Sequence, residues 1–256
     1  NILDGVKRAV DLCAAPGSWS QVLSRELYQK KEGEDIVENE DVKIVAVDLQ
    51  DMAPLPGVVQ LKGDITKRST AEQIISHFDG KYADIVLSDG APDVTGLHDV
   101  DEYVQAQLIL AALNITTHVL REGGTFCAKI FRGKDVTLLY EQLKLFFTDV
   151  TVAKPKSSRN SSLESFVVCR NYSPPKNYKP CMMSPLLDFH YGDENHMLEP
   201  NRFIVPFVAC GDLHGYDADQ NYPLELGDGK EYTRLDPVQP PINPPYKRHL
   251  QEKHTN

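Results

Sequence analysis

Val10-Asp11-Leu12-Cys13-Ala14-Ala15-Pro16-Gly17-Ser18-Trp19 runs from an apolar stretch into a tight turn and out into a helix-like segment. A short apolar run bounded by Pro and Gly reads as a buried strand, here residues 10–13. Gly17 lets the backbone come close to a ligand, and Ser18 can cap the helix that follows. The plain alternative is a strand-to-helix turn that binds nothing.

The same unit repeats along the chain. Residues 44–49, 58–61, 84–88, 125–131, 150–153 and 165–169 read as further buried strands, and 18–30, 69–78, 100–120 and 135–147 as helices. Such alternation implies a doubly wound, Rossmann-like α/β fold with a mostly parallel sheet and helices on both faces. The last two strands have only a Ser-rich loop between them, which suits an antiparallel edge hairpin. Residues 32–41, rich in Glu and Asp, read as a solvated loop.

Beyond Tyr172 the character changes, because twelve of the 17 prolines lie there. Residues 1–172 are therefore expected to form the regular α/β domain. Residues 173–256 form a Pro-rich extension, partly packed and partly extended, and the candidate for docking a partner. Its apolar patch at 203–208 is expected to pack back, and the end from about Asp236 to run as an arm.

Composition narrows the class. No apolar run approaches the length of a membrane span. The five cysteines (13, 127, 169, 181, 210) include no C-x-x-C pair, so neither a zinc ribbon nor a disulfide framework is expected, and no metal. A reducing, cytoplasmic or nuclear setting follows, with the cytoplasm expected. The net charge of −10 gives no global footprint for nucleic acid, although Lys154-Pro155-Lys156-Ser157-Ser158-Arg159 concentrates positive charge.

In open α/β sheets ligands bind beyond the carboxyl ends of the strands. Asp48 ends the second strand, where a carboxylate can accept from a ribose diol. Asp64 follows the third and could accept from an adenine amino group, or simply serve as a cap or turn residue. Asp89 ends the fourth strand. Lys129 lies within the fifth, in Ala128-Lys129-Ile130-Phe131. A lysine in an apolar strand is costly to bury unless paired; a solvent-facing edge position is the structural alternative. Arg132, Lys134, Lys154, Lys156 and Arg159 read equally as a phosphate-tracking surface or as a charged rim.

Together, residues 10–21, Ala46-Val47-Asp48-Leu49, Gly63-Asp64-Ile65-Thr66, Ser88-Asp89-Gly90-Ala91-Pro92 and Ala128-Lys129-Ile130-Phe131 resemble the FtsJ-like family of RNA 2′-O-ribose methyltransferases. Three features are similar to the eukaryotic branch that modifies the tRNA anticodon loop. They are Asp93-Val94-Thr95-Gly96-Leu97-His98-Asp99, Lys156-Ser157-Ser158-Arg159 and Cys210-Gly211-Asp212-Leu213. The resemblance implies a methyltransferase fold with S-adenosyl-L-methionine as cofactor. It implies 2′-O-methylation of the wobble nucleotide and of the nucleotide preceding the anticodon. It also implies a WD-repeat partner for one site and a large helical-repeat partner for the other; weak activity alone is expected because an acidic domain with few base-reading groups needs help to place a loop.

By the same resemblance Lys129 is the catalytic lysine, with Asp89 and Glu164 beside it, and Trp19 meets the methionine end of the cofactor. Gly17, Asp48, Asp64 and Asp89 complete the cofactor set. The family's first catalytic lysine lies in a basic segment ahead of the first strand, and no residue here matches it, so a preceding segment is expected. A free lysine, with a pKa near 10.4, is no base at neutral pH; burial or a neighbouring cation lowers that value and a carboxylate raises it. Three other readings stay open: an enzyme of ribosomal RNA or mRNA caps, a non-catalytic cofactor- or RNA-binding scaffold, and a nicotinamide dehydrogenase. The last is disfavoured because no G-x-G-x-x-G follows the first strand.

Overall fold

The computed structural model describes residues 2–32, 35–92, 98–132, 136–156, 158–159 and 162–181. The expected regions at 203–208 and from 236, together with Cys210, Lys134 and Asp93–Leu97, lie outside the described residues.

Each apolar run found in the sequence is a strand. They are β1 (Arg8–Leu12), β4 (Lys43–Asp48), β5 (Val58–Lys62), β6 (Ala83–Ser88), β7 (Leu120–Phe131), β8 (Phe147–Ala153) and β9 (Glu164–Tyr172). They form one seven-stranded sheet in the order β5-β4-β1-β6-β7-β9-β8. The pairs β1/β4, β4/β5, β1/β6 and β6/β7 are parallel, whereas β7/β9 and β8/β9 are antiparallel. The expected hairpin therefore turns inward: β9, the last strand, lies between β7 and the edge strand β8. Strand order reverses between β1 and β6, which defines the crevice where such sheets bind ligands.

Alternation along the strands sorts side chains to two faces. Val10, Leu12, Val45, Val47, Val86 and Phe126 share a core with α2 (Arg68–His77), α3 (His98–Val119) and α4 (Val136–Lys144) through Ile74, Leu113 and Leu143. Ala9, Ile44, Ile85, Leu87 and Cys127 face the other way, against Leu23 of α1 (Ser18–Leu23) and Leu27 of a π-helical turn at Ser24–Tyr28.

Two expectations need correction. The helix over 18–30 is six residues of α-helix and then the wider π turn, which gives way to strand at Gln29. The acidic loop over 32–41 is in part a hairpin arm: β2 (Gln29–Glu32) pairs antiparallel with β3 (Asp35–Glu38). Apolar Ile36 and Val37 stand exposed on that arm, and a run this short gave no readable period among its charges.

At the amino ends of the strands Asp84, 9% exposed, is fully engaged. Its Oδ2 accepts from the backbone N–H groups of Lys7 and Arg8, and its Oδ1 from Arg121 Nε at 2.7 Å. Burial pushes this carboxyl up, but the Arg121 guanidinium and the two backbone donors outweigh it and hold it below the usual range.

Candidate active site at the carboxyl ends of the strands

At the opposite ends β1 leaves the sheet through Cys13, whose φ is 56°, and the turn closes when Gly17 N–H donates to Ala14 O at 2.7 Å. Gly17 sits at φ 109°, a backbone region that a side chain would strain, which is why glycine starts α1. The turn is tied to the next strand. Ala14 N–H donates to Val47 O, and Ala15 N–H donates to Asp48 Oδ2 at 2.9 Å. Asp48 Oδ1 accepts from Gln50 N–H at 2.8 Å, so the carboxylate is held in one orientation from both sides.

Asp48 and Asp64 line one cavity of about 190 Å³, walled by Leu49, Ile65, Val104, Leu108 and Ala111. Asp64 also fills the role of its plain reading. Its Oδ1 accepts from the N–H and the hydroxyl of Thr66, a local turn that fixes the side chain at the cavity wall. Gly17 stands beside the loop that follows Asp48, where an added Cβ would meet Leu55 at 3.6 Å.

Lys129 is not at an edge. It lies in β7, flanked by β6 and β9, with a side chain 13% exposed, and its Nζ meets Asp89 Oδ1 at 3.0 Å. That ion pair supplies the partner that a buried lysine requires. The backbone beneath is tight: a Cβ on Gly90 would lie 3.1 Å from Cys13 Sγ, so the turns after β1 and β6 nearly touch.

Register places the other expected residues. Phe166 lies opposite Lys129 and Glu164 opposite Phe131, so Glu164 shares the sheet face of Lys129, one pleat farther along. Glu164 is exposed. Trp19 is half-buried on that same face, its ring 5.5 Å from Phe166, and does not line the cavity of Asp48. Arg132 follows β7, its N–H donating to Leu163 O at 3.0 Å, and Lys154 Nζ donates to Ser162 O. Lys156 and Arg159 are exposed on the same β8–β9 connection. These four cations thus gather beside the end of β7 that carries Lys129.

Two residues of this end were not singled out in the sequence. Asp11 is fully buried on the face of Asp89 and Lys129. Its Oδ2 accepts from Ser20 Oγ at 2.6 Å, while its Oδ1 has no partner among the described residues. Burial, against the lowering effect of Ser20 and with some help from Asp89, pushes its carboxyl up to about 7. The signal was present, since a carboxylate inside Val10-Asp11-Leu12 is as anomalous as a lysine inside β7. Gln105, 1% exposed on α3, is the second; a polar residue on the core side of an apolar helix was its signal.

A doubly wound sheet whose reversal point carries a glycine turn, acidic strand ends and a lysine paired to a carboxylate defines a methyltransferase-type α/β protein. The FtsJ-like methyltransferase model matches residues 1–172, and the chain belongs to that family. The chain is 61% identical over 247 residues to the Homo sapiens tRNA (cytidine(32)/guanosine(34)-2′-O)-methyltransferase, covering 96% of this chain and 72% of the relative. Identity to the Schizosaccharomyces pombe protein of the same name is 55% over 257 residues, covering 100% of this chain and 86% of the relative. Among solved structures, a protein named as a ribosomal RNA methyltransferase from Plasmodium falciparum superposes with a TM-score of 0.54 at 26% identity. That match covers 65% of this chain and 86% of the other.

Proposed function

We propose that this protein transfers a methyl group from S-adenosyl-L-methionine to ribose 2′-hydroxyls in the anticodon loop of tRNA. The observation that carries the reading is the Lys129–Asp89 pair, its lysine side chain 13% exposed, at the same carboxyl ends of the strands as the cavity of Asp48 and Asp64. The relatives' names give positions 32 and 34, so the second nucleotide is taken as 32, two before the wobble position rather than immediately ahead of the anticodon.

The residues suit the cofactor. Both Asp48 oxygens are oriented by backbone donors and each keeps a lone pair for a ribose hydroxyl, while the apolar walls formed by Leu49, Ile65 and Leu108 suit a purine ring. Asp64 would accept from the adenine edge, and Gly17, Trp19 and Asp89 would border the amino-acid end. S-adenosylmethionine, when bound, supplies a methyl already activated on a sulfonium. The rest of the rate must come from alignment and from removing the hydroxyl proton.

Lys129 holds the 2′-oxygen toward the methyl donor. The new O–C bond would form as the sulfonium S–C bond breaks; Lys129 would take the hydroxyl proton as it hands one of its own to Asp89 Oδ1, 3.0 Å away, and Glu164 would orient the ribose from the next pleat. Arg132, Lys154, Lys156 and Arg159 would hold the phosphates of the loop, with Lys134 joining them. A cytoplasmic site, a WD-repeat partner for one nucleotide and a helical-repeat partner for the other complete the proposal, supported by the family resemblance. Residues 173–256 are the proposed docking region on the domain of residues 1–172.

The test is transfer of labelled methyl from S-adenosylmethionine to purified tRNA by the full-length protein with its partners, with nuclease mapping of the product. Label on the ribose at 32 or 34 is expected. Cofactor binding without transfer would favour the scaffold reading, and label in ribosomal RNA or a cap would favour the other enzymes.

A further inference from the structure

The bond between Lys129 and Asp89 joins two strands that have already stopped pairing. The β6/β7 ladder ends at Ser88↔Ala128, one residue before each functional side chain. Beyond that point one side chain ties the strand ends together. Gln105 Nε2 donates to Gly90 O at 3.0 Å and to Lys129 O at 2.8 Å, using both of its N–H bonds. The carbonyl of the residue after Asp89 and the carbonyl of Lys129 itself are thereby clamped to α3.

The orientation of this amide is not arbitrary. Turned over, its oxygen would face two carbonyl oxygens, so the donors must point at the strands. The consequence is that Gln105 Oε1 is buried with no hydrogen-bond partner among the described residues. A buried acceptor left unmet is costly and calls for a reason. Here the same amide satisfies two carbonyls that the diverging strands no longer pair. Simple packing would be served as well by leucine or methionine.

We propose that Gln105 is a positioning residue for methyl transfer: it clamps the ends of β6 and β7 so that Asp89 and Lys129 meet at the reacting hydroxyl. This rests on the reading that Lys129 and Asp89 carry the chemistry. Gln105 acts on the barrier of the transfer step and leaves the affinities for cofactor and RNA alone.

The test uses the full-length protein with its partners, S-adenosylmethionine and tRNA, and three variants. Gln105→Met keeps the volume and removes both donors; kcat is expected to fall at least tenfold with both KM values within threefold of the parent. Gln105→Glu turns a charged acceptor toward two carbonyls, and on protonation regains one O–H donor. Its activity relative to the parent is therefore expected to rise as pH falls from 8 to 6, whereas Gln105→Met shows a flat ratio. That pH signature is read even if Gln105→Met folds poorly. Unchanged kcat in Gln105→Met, a loss confined to KM, or the same flat ratio for both variants would overturn the proposal. Lys129→Ala is the third variant: if it keeps full turnover, the catalytic reading itself fails, whatever Gln105 does.

Discussion

Two buried carboxylates at opposite ends of one sheet, Asp84 and Asp11, are held in opposite ways. At the amino ends, Asp84 receives two backbone N–H groups and the Arg121 guanidinium, with Arg8 alongside at 3.4 Å, and its carboxyl is held low. At the carboxyl ends, Asp11 has one hydroxyl for two oxygens and its carboxyl is pushed up to about 7. Gln105 likewise leaves an oxygen unmet. The saturated carboxylate, Asp84, holds the fold. Asp11 and Gln105 are kept in unfavourable surroundings, as groups at functional sites are.

Substitutions that separate the two ends should separate activity from stability. The largest effect is expected for Lys129→Met. Losing a positioned proton-transfer group costs about 10²–10⁴-fold in turnover, while the melting temperature stays within a few degrees. Rate and melting curve measured on one preparation would decide it. Asp84→Ala should do the reverse. It leaves two backbone donors without their acceptor, at a cost of about 1–3 kcal/mol by denaturant unfolding, while the half-exposed Arg121 stays solvated. The turnover of the folded fraction should not change.

A smaller contrast lies in pH. Asp11 has a folded pKa above its unfolded value, so its stabilising contribution is complete below about 4 and is lost as pH rises through about 7. Unfolding free energy should fall by a few kcal/mol across that window, and Asp11→Asn should flatten the slope. Asp84 has the opposite sign: its contribution is present above about 4 and is lost as pH falls through its lowered folded value. Asp84→Asn should therefore weaken the stability loss in acid. Equal slopes in parent and Asp11→Asn would remove the distinction between the two ends. The smallest effect is expected at the rim, where Arg132→Ala should weaken tRNA binding and reduce the salt dependence by about one unit of slope.

The strands and their order of use were legible because each is a short apolar run closed by turn residues, and periodicity reports burial directly. Asp48, Asp89 and Lys129 were legible for a related reason: charged residues at strand ends, or inside a strand, contradict the local pattern. Three things were not legible. That β9 lies inside β8 depends on long-range pairing, on which local pattern is silent. The β2–β3 arm was hidden by its charges, which read as loop whether or not the backbone pairs. The partners of Gln105 were hidden because they are backbone carbonyls of residues that lie far away in sequence. The role of Glu164 was read from family resemblance, and the register supplies only its face and pleat.

The most direct measurement is a double-mutant cycle on the pair itself, with single-turnover methyl transfer to tRNA at saturating cofactor for Lys129→Met, Asp89→Asn and the double variant. If the two side chains act as one unit, the double variant should be no slower than the slower single variant. Losses that multiply would mean that the Lys129–Asp89 contact is not the working element of the site.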